Sequence, residues 1–211
     1  MSISFPRTDI MDGLAIHISN PHIEPMWRQE TSRTAGGVTL VKNMGPLLWR
    51  ASFQTIAMLP VAAGALEADL LTLENGGQLF EAYDPRRRKP VAYTSGSLAG
   101  VTVHSIRTDR LALRLTGLPA GMVLTKGDWL SIDDGTNLHL LRVVETVTTA
   151  GTGLSPWFEV RPGLRPSIAV TTPVVLTDAP GRFMVDPGSV ERTPTGGLHD
   201  TVSWTATQVI E

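Results

Sequence analysis

Hydrophobic and polar positions alternate with period two from Leu48 to Met58. Trp49, Ala51, Phe53 and Ala57 share one face while Arg50, Ser52 and Gln54 share the other, which predicts a half-buried strand. From Pro60 to Glu74 the period lengthens to that of a helix: Leu66, Leu70 and Leu73 recur at i, i+4 and i+7, and Glu67, Asp69 and Glu74 lie mostly off that stripe. Proline suits a first helical turn because its missing N–H would have no partner there. Gly76 is placed to end the helix in the left-handed region. A second strand pattern, Gln78 to Tyr83, follows. Strand, helix and strand on short connections predict a sheet with one helix laid across it.

The flanks extend this picture. Residues 1–30 read as irregular, broken by Pro6, Pro21 and Pro25, with a short strand allowed at Leu14–Ile18. Arg28 to Leu40 is polar and contains Gly36-Gly37. It predicts either a hairpin leading into a strand at Val38–Val41 or an arm that orders only against a neighbour. Asp84-Pro85-Arg86-Arg87-Arg88-Lys89-Pro90 and the Ser/Gly-rich Thr94–Gly100 read as a linker. Beyond it, short strand patterns recur at Leu111–Leu115, Trp129–Ile132, Leu138–Thr148, Trp157–Arg161, Ile168–Val170 and Val174–Leu176. That spacing predicts a small closed or sandwich-like β module. The last segment returns to two strands, Met184–Arg192 and Thr201–Ile210, around a turn at Thr195-Gly196-Gly197. A lone hairpin is marginal in water, so these strands are expected to complete the first sheet. The expected fold is mainly β, divided into residues 1–97 with 178–211 and an inserted small β domain at 98–177.

Composition narrows the function classes. With 18 basic and 20 acidic residues among 211, the formal charge is −2 and there is no overall basic field for nucleic acid. The absence of cysteine removes disulfide frameworks, thiol catalysis and cysteine-bound zinc. Met1–Asp12 lacks the apolar run of a signal peptide, and Ile56–Leu66 is too short to span a bilayer. A soluble protein made in the cytoplasm, with no membrane insertion, is expected.

No motif carries chemistry. His22-x-Glu24 has no further ligand near it in sequence. His17, His104, His139 and His199 are scattered singly. Asp133-Asp134-Gly135 lacks the alternating oxygen ligands of a calcium loop and reads as a hairpin turn. Gly151-Thr152-Gly153 lacks the Lys-Ser/Thr of a phosphate loop. Ser95 and Ser97 lack a nucleophile elbow. Trp49, Trp157 and Trp204 lie in strand patterns and are expected in the core, which leaves Trp27 as the best exposed candidate for stacking on a sugar. Arg86, Arg87 and Arg88 with Lys89 are read first as one side of a subunit interface, then as a solvated loop, and last as a contact to nucleic acid, for which the overall charge gives no footprint. No catalytic, metal-binding or cofactor-binding residue is expected, and no enzyme.

Several local motifs carry a resemblance. Thr8-Asp9-Ile10-Met11-Asp12, the stretch Arg28 to Gly37, Gly45-Pro46-x-Leu48-Trp49 and Phe80-x-Ala82-Tyr83-Asp84-Pro85-Arg86 are among them. So are Gly117-Leu118-Pro119-Ala120-Gly121, Gly127-Asp128-Trp129-Leu130, Val160-Arg161-Pro162-x-Leu164-Arg165 and Pro187-Gly188-Ser189-Val190. Together they resemble the distal tail proteins of long-tailed phages and prophages across nearly the whole chain. The resemblance implies a tail-tube-like belt domain, a β-sandwich or split barrel with one flanking helix at about residues 60–75, carrying an additional small β-barrel-like domain. It also implies a virion structural protein of the tail tip or baseplate that closes into a hexameric ring. Such a ring joins the tail tube to the hub and the receptor-binding or fibre proteins used in host attachment, around a channel that passes DNA without specific binding. No cofactor is implied. Arg28, Glu30 and Arg33, on a polar arm, and Arg86, Arg87 and Arg88 are the expected subunit-interface residues. Some members of that family carry a sugar-binding outer domain; the insertion here is short and barrel-like. Other tail-tube or adaptor subunits, and a carbohydrate-binding adhesion module, stay open as alternatives.

Overall fold

A computed structural model describes residues 3–11, 18–73 and 77–210. The fold is mainly β with one flanking helix. The first elements along the chain are β1 (His22–Met26), β2 (Gln29–Arg33), β3 (Thr39–Asn43), β4 (Leu48–Gln54), α1 (Pro60–Leu71) and β5 (Phe80–Ala82). Then come β6 (Thr102–Ile106), β7 (Ala112–Thr116), β8 (Val123–Leu124), β9 (Trp129–Asp133), β10 (Leu138–Val143) and β11 (Val147–Thr148). The series closes with β12 (Phe158–Arg161), β13 (Val174–Val175), β14 (Gly181–Val185), β15 (Glu191–Gly196) and β16 (His199–Gln208).

The first sheet runs β1-β4-β16-β14-β5, with β15 alongside the first half of β16. Long β16 is its spine: Ser203–Thr207 pair with β4, and Ala206–Gln208 pair with β14. Arg7 adds a short parallel bridge beyond β5 at Phe80. The alternation read from sequence places Trp49, Ala51 and Phe53 in the core with Val202, Trp204 and Ala206 from β16. Phe53 and Trp204 stack with centroids 5.2 Å apart.

Helix α1 packs on this sheet through Ala63, Leu66 and Leu70. Leu73, just past the helix, is buried on the same stripe. Burying these three leucines contributes on the order of 1.5–3 kcal/mol each. Two arginines fasten the helix at its ends. Arg192 of β15 donates to Glu67 and to the Pro60 carbonyl and pairs with Asp200. Arg7 reaches Asp69 and Thr72.

The second sheet runs β13-β9-β10-β12-β7-β6, and its two ends meet. Thr102 bridges Pro173, Val103 N–H donates to the Thr172 carbonyl, and Val174 N–H donates to the Val101 carbonyl. The six strands thereby close into a small barrel around Leu113, Leu115, Leu130, Ile132, Leu141, Phe158 and Val160. The barrel abuts the first sheet at a seam. There Trp49 and Trp129 meet edge to face, 4.9 Å between centroids, and the Trp49 indole N–H donates to the Leu140 carbonyl at 2.8 Å. A side chain at Gly181 would stand 3.2 Å from Leu140 Cβ, so the bare backbone there permits the close approach.

Several expectations change. The strand from Leu48 ends at Gln54 rather than Met58; Ala57 is exposed, and Thr55 is buried instead, its hydroxyl accepting from the Val202 N–H. The helix stops at Leu71, with Thr72 capping it. Residues 22–26 form a strand despite Pro25, because an edge position leaves the missing N–H without consequence. Met184–Arg192 is two strands, broken at Asp186–Val190 where Gly188 adopts φ +73°. Leu138–Thr148 is likewise split in two, and Ile168–Val170 is buried at Ile168 but forms no strand. Trp157 is 43 % exposed beneath Arg114 rather than in the core. Of the readings at Leu14–Ile18, His17 and Gly76, only Ile18 lies within the described residues, where it bridges Thr55.

Candidate assembly surface

Strands β2 and β3 form a regular antiparallel hairpin, from Gln29 opposite Asn43 to Arg33 opposite Thr39. The turn is held by the Thr34 hydroxyl, which accepts from Val38 N–H, and by Gly37 at φ +81°. At the base Met44 N–H donates to the Arg28 carbonyl at 2.7 Å. All ten strand residues are exposed, and among the described residues the hairpin pairs with no other strand. Val38, Leu40 and Val41 are 59 %, 56 % and 57 % exposed. A two-stranded ribbon with no hydrophobic face buried is poorly stable in water by itself.

Arg28, Glu30 and Arg33 all lie on the arm. Glu30 stands opposite Lys42 across the ladder, and among the described residues neither Arg28 nor Arg33 forms an ion pair. The other three expected interface residues lie elsewhere. Arg86 is 3.7 Å from Asp84. Arg87 lies across Gly127, where a Cβ would come within 2.8 Å of its guanidinium, and it is 3.6 Å from buried Asp128. Arg88 grips both oxygens of Asp178 at 2.7 and 2.9 Å and stands over the Tyr83 ring. These arginines tie the 84–90 turn to the barrel and to the strand returning from it. The two groups do not come together.

The open edges of the first sheet are protected. β1 carries Pro25, while β15 carries Pro194 and a register shift between Pro194 and Gly196. Prolines and bulges interrupt the ladder that an added strand would need. The arm contains neither. His22 and Glu24 sit on the solvent side of β1, 3.4 Å apart and both about half exposed.

A groove of about 460 Å³ runs between the end of α1 and the β14–β15 connection, lined by Leu70, Leu71, Leu73, Met184, Val185 and Val190. Glu67 and Asp186 are the charged residues on its walls. At the foot of the arm, Trp27, 65 % exposed, borders a second depression with Leu164 and Arg165.

One polar cluster escaped the sequence reading. Asp133-Asp134-Gly135 is the expected turn, with Gly135 at φ +88°. Its second carboxylate, however, turns inward to a buried imidazole: Asp134 Oδ2 lies 2.7 Å from His139 Nε2, with side chains 5 % and 2 % exposed. Burial pushes the Asp134 carboxyl up, but hydrogen bonds from His139, Ser167, Asn137 and Thr136 outweigh it and hold the group well below the usual carboxylate range. Both Ser167 and His139 bond to the carboxylate, so the serine is not aligned on the imidazole and no nucleophile relay exists there. The cluster clamps a turn. The only hint in the sequence was a histidine four residues after an Asp-Gly pair. Among the described residues, no group of three His, Asp or Glu side chains is placed to hold a metal ion, and no helix is long and apolar enough to cross a membrane.

No protein-family model matches this chain, and no curated protein matches it.

Proposed function

We propose that this chain is a structural ring subunit at the distal end of a phage or phage-derived tail, linking tube to hub around the DNA channel. The single observation that carries the reading is the arm: an uninterrupted, fully exposed hairpin on a molecule whose first sheet guards its β1 and β15 edges with proline and whose barrel sheet closes on itself. An element of this kind serves association between copies. A contact in which one patch of a subunit meets a different patch of the next closes into a ring when the rotation allows. The sequence resemblance to distal tail proteins supplies the hexamer and the place in the virion. Arg28 and Arg33, which form no ion pair among the described residues, supply charge for the contact.

The test is to replace residues 29–43 by a short glycine turn. The melting temperature should hold within about 2–4 °C, since no core residue is removed. Light scattering and negative-stain imaging should then show a monomer where the intact chain forms closed rings. A wild-type chain that stays monomeric at every concentration sinks the reading. A monomer that binds glycan through Trp27 would favour the adhesion-module alternative, for which the exposed indole at the foot of the arm is the supporting observation.

A further inference from the structure

The arm exposes three apolar side chains, Val38, Leu40 and Val41, on an otherwise polar ribbon, and among the described residues nothing covers either them or the largely apolar α1 groove. The arm follows on from the pair Met26–Leu48 at the end of the β1–β4 ladder. The groove lies two strands across. It is level with the middle of β16, where Asp186 N–H donates to the Thr205 carbonyl and Thr205 pairs with Ser52 of β4. Among the described residues the hairpin pairs with no strand of its own chain. A second copy can supply what the groove lacks.

We infer that the arm of one copy docks in the groove between α1 and the β14–β15 connection of the next, its Val38–Leu40 face against Leu71, Met184 and Val190. This inference rests on the building-block reading and names its contact. Size agrees: 460 Å³ falls in the range of pockets that hold several apolar groups. Charge agrees as well. Over residues 27–45 the arm carries Arg28, Arg33 and Lys42 against Glu30 alone, Arg33 on the face away from Leu40, whereas the charged groove residues, Glu67 and Asp186, are both acidic. Asp186 is taken up by Thr205, Thr207 and Arg50. Glu67 gives only Oε2 to Arg192 and keeps its other oxygen for an incoming guanidinium. The contact joins two different patches, so each subunit offers an arm to one neighbour and a groove to the other, as a ring requires.

The chain has no cysteine, so engineered thiols report without background. Leu40→Cys protein is mixed with Leu71→Cys protein, and separately with Val190→Cys protein, then oxidised. Disulfides require Cα atoms within about 7 Å. Glu145→Cys, on the exposed barrel surface, replaces the arm thiol as control. The expected result is an intermolecular disulfide between Leu40→Cys and at least one groove variant, in severalfold excess over the control. Rings by light scattering with no such disulfide would overturn the docking while leaving the building-block reading intact. Equal cross-linking to Glu145→Cys would also overturn it. Monomers throughout would end both.

Discussion

The two sheets obey the same alternation but treat their edges in opposite ways. The barrel joins its first and last strands through Thr102 and Pro173 and leaves no long edge. The first sheet stays open at β1 and β15, guards both with proline, and extends the hairpin arm from the β1–β4 end. One part is finished as a single chain; the other presents a strand pair without a core. The contrast locates stability and association in different regions, and each can be broken separately.

The largest effect is expected at the seam. Trp49→Ala removes the edge-to-face contact with Trp129 and the hydrogen bond to Leu140 and should cost about 3–5 kcal/mol. Calorimetry should then resolve two transitions, one for each core, where the native protein is expected to give one. A single transition shifted by less than about 1 kcal/mol would mean that the two cores are not coupled through this tryptophan.

A smaller effect, confined to the barrel, is expected at Asp134. Asp134→Asn leaves His139 facing an amide and should cost about 1–3 kcal/mol. The pH dependence has a definite sign. The folded carboxyl lies below its unfolded value of about 3.9, so its contribution is complete above that pH and fades as acid carries the solution down through the folded value. Denaturant titrations from neutral pH downward should show this slope in the native protein and lose it in Asp134→Asn. Equal slopes would remove the carboxylate from the account.

The smallest effect is expected at Arg88. Its ion pair with Asp178 is bidentate, but the arginine is 53 % exposed, and solvent screening limits such a pair to about 0.2–1 kcal/mol. Arg88→Ala should lower the melting midpoint slightly and leave the proposed ring assembly unchanged. Loss of rings with an unchanged midpoint would instead move Arg88 from the intramolecular turn to the subunit contact.

Legibility in the sequence followed how local each feature is. Trp49, Phe53 and Trp204 were readable as core because period two is a local property of a strand on a one-sided sheet. The arm was readable as a Gly-Gly hairpin for the same reason. Ala57 misled because the strand bends away after Gln54, where Thr55 and Met58 turn to pair with Val202 and Asp200. Nothing in the linear pattern marks that bend. Arg87 and Arg88 read as one charged run, yet their acids lie at positions 128 and 178. Asp134 read as a turn residue, and only the packing of β10 and Ser167 around it shows that its carboxylate faces inward.

By itself, then, the sequence determined where the long strands β4 and β16 and the helix α1 lie and which side of each is apolar, because those follow from bonding and burial over a few residues. Only the tertiary structure decided that one sheet closes while the other stays open, which arginines are neutralised within the chain, and that an apolar groove lies apart from an uncovered arm. These depend on pairings between segments up to well over a hundred residues apart, such as β4 with β16, and such pairings are set by how whole faces fit rather than by any local period.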